Sequence, residues 1–169
     1  MPARGVTVLA ALTLLVAPLT ACGGGSSKAG ANAAGAKALD RLAITAIERK
    51  WHDAETTRNL AEIMSLWAPH ATWQIDPKHT LVGKRQIRAL WVENVFPLAR
   101  KQHWFSDTAT FRIRVTVDGD RGTLYFECHE IDEQTRKVVA VVGQDLDVAK
   151  IGGRWLITKS TGSSPTLGA

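Results

Sequence analysis

Residues 103–131 read HWFSDTATFRIRVTVDGDRGTLYFECHEI. The run fits two long strands joined at Asp118-Gly119, because an Asp-Gly pair between alternating stretches is among the strongest short-range hairpin signals. Phe111, Ile113, Val115 and Val117 alternate with Arg112, Arg114 and Thr116, the period of two of a half-buried strand. A two-residue turn there pairs Val117 with Asp120, Ile113 with Leu124, Phe111 with Phe126 and Ala109 with Cys128. Arg112 then faces Tyr125 on the other side. A slip of one residue would set Phe111 against Glu127 and mix the faces, so the pattern favours the first register. It places Leu124 and Phe126 on the apolar side. Without a bulge, His103 at the start of the first strand joins them.

The segments on either side follow from their own periodicities. Upstream, Leu39, Leu42, Ala43, Ala46, Ile47, Trp51 and Ala54 recur at three and four, the spacing of an amphipathic helix. Asn59 and Glu62 form an N-cap and capping-box pair for a second helix that buries Leu60, Ile63, Met64 and Trp67 and stops at Pro69. Short strands at 71–75 and 80–82 lead to Gly83. A third helix then carries Ile87, Leu90, Trp91 and Val95 and breaks at Phe96-Pro97. Downstream, 137–150 and 155–159 are strands around a tight Ile151-Gly152-Gly153-Arg154 turn. That turn pairs Ile151 with Arg154 and Val148 with Ile157, which sends Gln144, Val142 and Ala140 inward and turns Asp145 and Asp147 out. A bulge would reverse the assignment and bring Asp145 in. Helices first and antiparallel strands later make an α+β fold, a meander curved as a half-open cone around the first long helix, three helices in total.

The first residues carry an address rather than a core. Arg4 precedes an apolar run over 6–17, too short to span a bilayer comfortably. Leu19-Thr20-Ala21-Cys22 follows and resembles the lipobox of bacterial lipoproteins. The resemblance implies cleavage of 1–21, lipidation of Cys22 and anchoring on the extracytoplasmic face of the cell membrane. Residues 23–38, Gly/Ala/Ser-rich and without a large apolar side chain, then form a flexible tether after the lipidated Cys22, and 39–169 the domain. Of 169 residues, 45% are hydrophobic, and the formal net charge is +5. Arg4 is the one charge before Cys22, so the mature chain carries +4. Its basic residues are scattered and show no aromatic–basic interleaving, which argues against a nucleic-acid partner. Cys128 is the one cysteine left for the domain, so no internal disulfide is expected; it reads as a small core side chain.

These marks together resemble the SnoaL-like branch of the nuclear-transport-factor-2-like superfamily. They are Leu39-Asp40-Arg41-Leu42-Ala43, then 66–73 (LWAPHATW), Gly83, Pro97 ahead of His103-Trp104, and Gly153-Arg154-Trp155. Within the branch the pattern is most similar to domains of the hexachlorocyclohexane dehydrochlorinase and scytalone dehydratase type. Such a resemblance implies a cone whose cavity holds a small molecule, and cofactor-free lyase chemistry run by a histidine–aspartate pair. The histidine maps onto His103. The aspartate falls in 51–59 (WHDAETTRN), where Asp53 is the substitute, with Glu55 and Thr56 as neighbours in the same gap. The same resemblance turns Trp51, Trp73, Trp91 and Phe96 toward the cavity.

Three functions stay open at this point. The cone can be a binding module for a small hydrophobic or aromatic molecule, walled by Trp51, Trp73, Trp91, Phe96, Leu124, Phe126 and Gln144. It can be a cofactor-free lyase or isomerase with His103 as general base and Asp53, Glu55 or Asp145 as its partner. It can be an interaction unit of an envelope complex, with the outer sheet face serving for homodimerisation. His52, His70 and His79 lie without metal-ligand spacing, His129 falls on the outer face, and neither a metal nor a cofactor is expected.

Overall fold

The computed structural model of the protein describes residues 25–106 and 111–162. The leader, Cys22 and residues 107–110 with Ala109 lie outside the described residues. α1 (Gly25–Thr57) is followed by α2 (Leu60–Ser65), β1 (Trp67–Asp76), β2 (His79–Val82) and α3 (Gly83–Leu90). A π-helical turn (Trp91–Val95) joins α3 directly to α4 (Phe96–Gln102), so these three pieces form one interrupted third helix. β3 (Trp104–Ser106), β4 (Phe111–Asp118), β5 (Arg121–Asp132), β6 (Val138–Ile151) and β7 (Arg154–Gly162) complete the chain. The strands make one mixed sheet in the order β2-β1-β7-β6-β5-β3, with β4 also paired to β5. β1 and β7 run parallel, and the other pairs are antiparallel. α1 packs against β3, β4, β5 and β7. This is the expected α+β cone.

α1 forms because Ile44, Ile47, Trp51 and Ala54 return to one side every three or four residues, and all are buried. It also reaches back to Gly25, through the segment read as a flexible tether. Alanines supply the propensity there, since alanine is the best helix former and offsets the glycines. Residues 32–39 of this extension are exposed, and Leu39 and Leu42, read as part of the buried stripe, remain 68% and 63% exposed. Arg58, in a left-handed conformation (φ 58°), ends the helix. Asn59 then caps α2 through its side chain, which accepts from the Glu62 amide at 3.1 Å, while its own amide group donates to Glu62 Oε2 at 3.3 Å. α2 stops at Ser65, before Pro69. Trp67 therefore opens β1, where it pairs with Ile157, instead of lying on the helix.

The hairpin register differs from the sequence reading in two ways. The turn closes one step later, at Gly119-Asp120, so Asp118 pairs with Arg121 and Val115 with Leu124. A shift of two keeps the faces. Then a bulge at Arg112-Ile113, with Arg112 left-handed at φ 48°, changes the parity and sets Phe111 against Glu127. Between β6 and β7 the expected pairs Ile151–Arg154 and Val148–Ile157 form. The irregularity on this pair falls beside Thr158, so β6 alternates without a break: Gln144, Leu146 and Val148 are buried, Asp145 and Asp147 exposed.

β5 and β6 build the inner wall as a ladder. Leu124 faces Leu146, Phe126 faces Gln144, Cys128 faces Val142 and Glu130 faces Ala140. Above it sits a cluster of rings centred on Trp51, whose centroid lies 5.7 Å from Trp67, 5.6 Å from Trp73, 5.4 Å from Trp91 and 5.8 Å from Phe126. Trp67 and Trp73 stack at 5.2 Å.

Candidate functional site

The cone holds a cavity of about 390 Å³. α1 contributes Trp51 and Glu55, β1 contributes Trp73, and the π turn contributes Trp91 and Val95. Leu98 and Ala99 come from α4, Trp104 from β3, Cys128 and Glu130 from β5, and Ala140, Val142 and Gln144 from β6. The π turn matters here. It adds a residue to the helical turn, and through it one helix passes both Trp91 before the turn's end and Leu98 after it to the same wall.

Behind the cavity, α1 carries a polar line on its buried face. Glu48, His52 and Glu55 stand at i, i+4 and i+7, which places them above one another on one side of a helix. Glu48 and His52 have no exposed surface. His52 Nδ1 lies 2.9 Å from Glu48 Oε1, out of line for a hydrogen bond, and its Nε2 lies 3.2 Å from Cys128 Sγ. The ring meets Phe126 edge-on at 5.4 Å. Glu55 Oε2 accepts the Trp51 indole N–H at 3.2 Å.

Burial, and then the charge of Glu130, hold the Glu55 carboxyl well above its ordinary range. Burial likewise raises Glu130, against the pull of His52. The two acids share one apolar cavity, where the ionised form of each disfavours that of the other. The pair therefore keeps a proton to higher pH than a surface carboxyl would. Glu48, His52 and Cys128 follow the order orienter, base, nucleophile. Electrostatics opposes that use: burial first, then the charges of Glu55 and Glu130, push the Cys128 thiol well up, so the resting sulfur is a thiol rather than a thiolate. Among the described residues no group of three or more His, Cys, Asp or Glu side chains is arranged to hold a metal ion.

Of the residues singled out in the sequence, Trp51, Glu55, Trp73, Trp91 and Gln144 line the cavity. Gln144 is held there by Ser160, whose hydroxyl lies 3.2 Å from its Oε1. Phe96, Leu124 and Phe126 are buried core behind the lining, with Phe96 against Trp91 at 5.4 Å. His103 is not on the apolar face. The third helix continues through Pro97 to Gln102, and His103 closes it in a left-handed conformation (φ 55°), exposed, with its carbonyl accepting from the Glu133 amide at 2.9 Å. Pro97 falls at the junction of the π turn and α4. Asp53 is exposed on the opposite side of α1. Thr56 donates its hydroxyl to the Ser106 carbonyl at 2.8 Å, and His129 lies 3.4 Å from Glu127 on the outer sheet face. Glu130, Trp104, Glu48 and His52 are the residues that sequence reading passed over. For the two on α1 the signal was present: they fall on the same stripe as Ile44 and Trp51.

The pattern of the SnoaL-like domain matches residues 36–161. No curated protein matches the chain by sequence at a significant level. Among solved structures, an NTF2-like protein with a cystatin-like fold from Novosphingobium aromaticivorans is similar at 15% identity, with a TM-score of 0.66 over 77% of this chain and 85% of that one. An NTF2-like protein from Pseudomonas putida is 14% identical, with a TM-score of 0.62 over 76% and 88%. A hexachlorocyclohexane dehydrochlorinase from Novosphingobium barchaimii is 16% identical, with a TM-score of 0.60 over 78% and 92%. At these identities the likeness is one of fold.

Proposed function

The chain belongs to the SnoaL-like domain family, and on that footing we propose that its cone is the binding site of a compact, largely apolar small molecule. The observation that carries this reading is the cavity of about 390 Å³ walled by Trp51, Trp73, Trp91 and Trp104. Small-molecule pockets run from roughly 300 to 1,000 Å³, with apolar and aromatic linings and a few polar groups to orient the guest. The lipobox-like Leu19-Thr20-Ala21-Cys22 supports the further reading that the domain works outside the cytoplasm, lipid-anchored at Cys22. Membrane fractionation of Cys22→Ser tests the anchor: the variant should leave the membrane fraction, and unchanged partitioning would refute it. The pocket is tested by titrating the full chain with naphthalene while following tryptophan emission. Saturable quenching is expected, and it should vanish in Ala140→Phe, which fills the cavity from β6. Equal binding by that variant would refute the site.

A second reading has its own observation. Glu55 and Glu130 form an acid pair within the cavity, both shifted upward, and paired carboxyls of this kind can divide the roles of general acid and general base. A cofactor-free lyase would then use Glu55 and Glu130 in place of His103 and Asp53. Turnover that survives Glu55→Gln and Glu130→Gln would refute it.

A further inference from the structure

Taking the small-molecule pocket as given, we propose that its guest is an organic cation, a quaternary ammonium or protonated tertiary amine with apolar substituents. Four indoles from α1, β1, the π turn and β3 line the one cavity. Three of them stand in mutual contact, Trp51–Trp73 at 5.6 Å, Trp51–Trp91 at 5.4 Å and Trp73–Trp91 at 5.7 Å. Indole is the ring that attracts a cation most strongly through its quadrupole, and boxes of several rings are the geometry that selects alkylated ammonium groups over hydrated ones.

The charges point the same way. Among the described residues the lining contains Glu55 and Glu130 and no lysine, arginine or histidine, in a chain whose formal net charge is +5. Arg100 and Lys101, next along α4 from the lining residues Leu98 and Ala99, are exposed. His52 sits behind Cys128 and is not part of the lining. An anionic guest would meet two acids and no counter-charge. A neutral aromatic guest would use the rings and bring no counter-charge, so ionisation of Glu55 and Glu130 would stay opposed by desolvation. An ammonium with greasy substituents satisfies both features at once. It meets indole rings from several walls and supplies the charge that lets Glu55 or Glu130 ionise, and its weak hydration eases entry.

The test compares two probes of nearly one shape, phenyltrimethylammonium and tert-butylbenzene, by calorimetric and fluorescence titration of the full chain. The cation should bind at least about tenfold more tightly than its neutral isostere, the combined effect expected of cation–π contact and a desolvated counter-charge. Glu55→Gln/Glu130→Gln should lose that preference while binding tert-butylbenzene as well as the parent or better. Asp145→Asn, which removes an exposed charge on the outer face of β6, should leave both affinities unchanged. Equal or tighter binding of tert-butylbenzene by the parent overturns the cation assignment and leaves the pocket standing. A preference undiminished in the double variant overturns the counter-charge role given to Glu55 and Glu130. Failure of both probes, with naphthalene failing too, overturns the pocket itself.

Discussion

Glu55→Gln should stabilise the folded protein at neutral pH and leave it nearly unchanged in mild acid. Glutamine is isosteric and its Oε1 can still accept the Trp51 N–H that Glu55 accepts at 3.2 Å, so packing and that bond are preserved. What changes is the proton. Burial and the neighbouring Glu130 hold Glu55 well above its ordinary value of 4.5. Between 4.5 and the raised native value, the folded state keeps a proton that the unfolded chain releases. The unfolded state binds fewer protons there, so wild-type stability falls as pH rises, by up to about 1.4 kcal/mol for each pH unit and each proton. The variant's amide does not titrate, so the gap between variant and wild type opens at that rate above pH 4.5 and levels off once Glu55 ionises in the folded state. Asp40, Asp76 and Asp132, held below their ordinary range by hydrogen bonds, contribute with the opposite sign at lower pH. They are common to both proteins and cancel in the difference. Urea unfolding followed by tryptophan emission at pH 5, 6 and 7 measures the gap. Parallel stabilities at all three values, or a gap that narrows with rising pH, would refute the assignment of a shared proton to this pair.

Three other outcomes follow from single positions. A Cβ on Gly122 would sit 2.5 Å from the Thr116 carbonyl oxygen and 3.1 Å from Ile44 Cδ1, so Gly122→Ala must push β4 or α1 away and should cost about 1–3 kcal/mol, read as a lower melting temperature; an unchanged melt would show that the strands yield freely. Cys128, 2% exposed with a thiol pushed up by burial and nearby carboxylates, should alkylate with iodoacetamide at pH 8 far more slowly in the folded chain than in urea, by peptide mass analysis, and similar rates would contradict both its burial and its protonation. Asp40 Oδ1 accepts from Lys150 Nζ at 2.7 Å and from the Trp155 indole at 2.9 Å, which lowers its pKa. Its stabilisation is present above the ordinary 3.8 and lost as pH falls below it, so the penalty of Asp40→Asn in thermal melts should be seen at pH 7 and shrink by pH 3.

The sequence carried the architecture well wherever geometry follows from local chemistry. The Asn59–Glu62 cap, the Ile151–Arg154 turn and the inward Gln144 with outward Asp145 all appear in the structure, because a cap, a tight turn and a period of two each fix themselves over a few residues. His103 failed for the reason those succeeded. Its position depended on where the third helix ends, and a π turn at Trp91–Val95 carries that helix past Pro97, a feature with no sequence period of its own. The bulge at Arg112 is equally silent in the hydrophobic pattern and sets Phe111 against Glu127 instead of Phe126. Glu48 and His52 were hidden differently. Counting apolar residues traces the buried stripe of α1 and assigns the polar ones by default to solvent, although these two share the phase of Ile44 and Trp51.

The distribution of polarity along the inner ladder argues that the cone is more than a core. From one end of the β5–β6 ladder to the other the facing pairs run Leu124–Leu146, Phe126–Gln144, Cys128–Val142 and Glu130–Ala140, so ionisable groups gather where the wall borders the cavity and aliphatic ones fill the other end. Stability alone would place leucine or phenylalanine at each of these sites, since well-packed apolar side chains commonly equal or exceed buried ionisable groups of similar volume. The chain instead carries Glu55 and Glu130 at a desolvation cost and sets His52 and Glu48 directly behind them without solvent contact. Groups that weaken the fold are retained where they touch something other than the fold. In this protein that place is the tryptophan-walled cavity, and its two acids are the residues a guest molecule must answer.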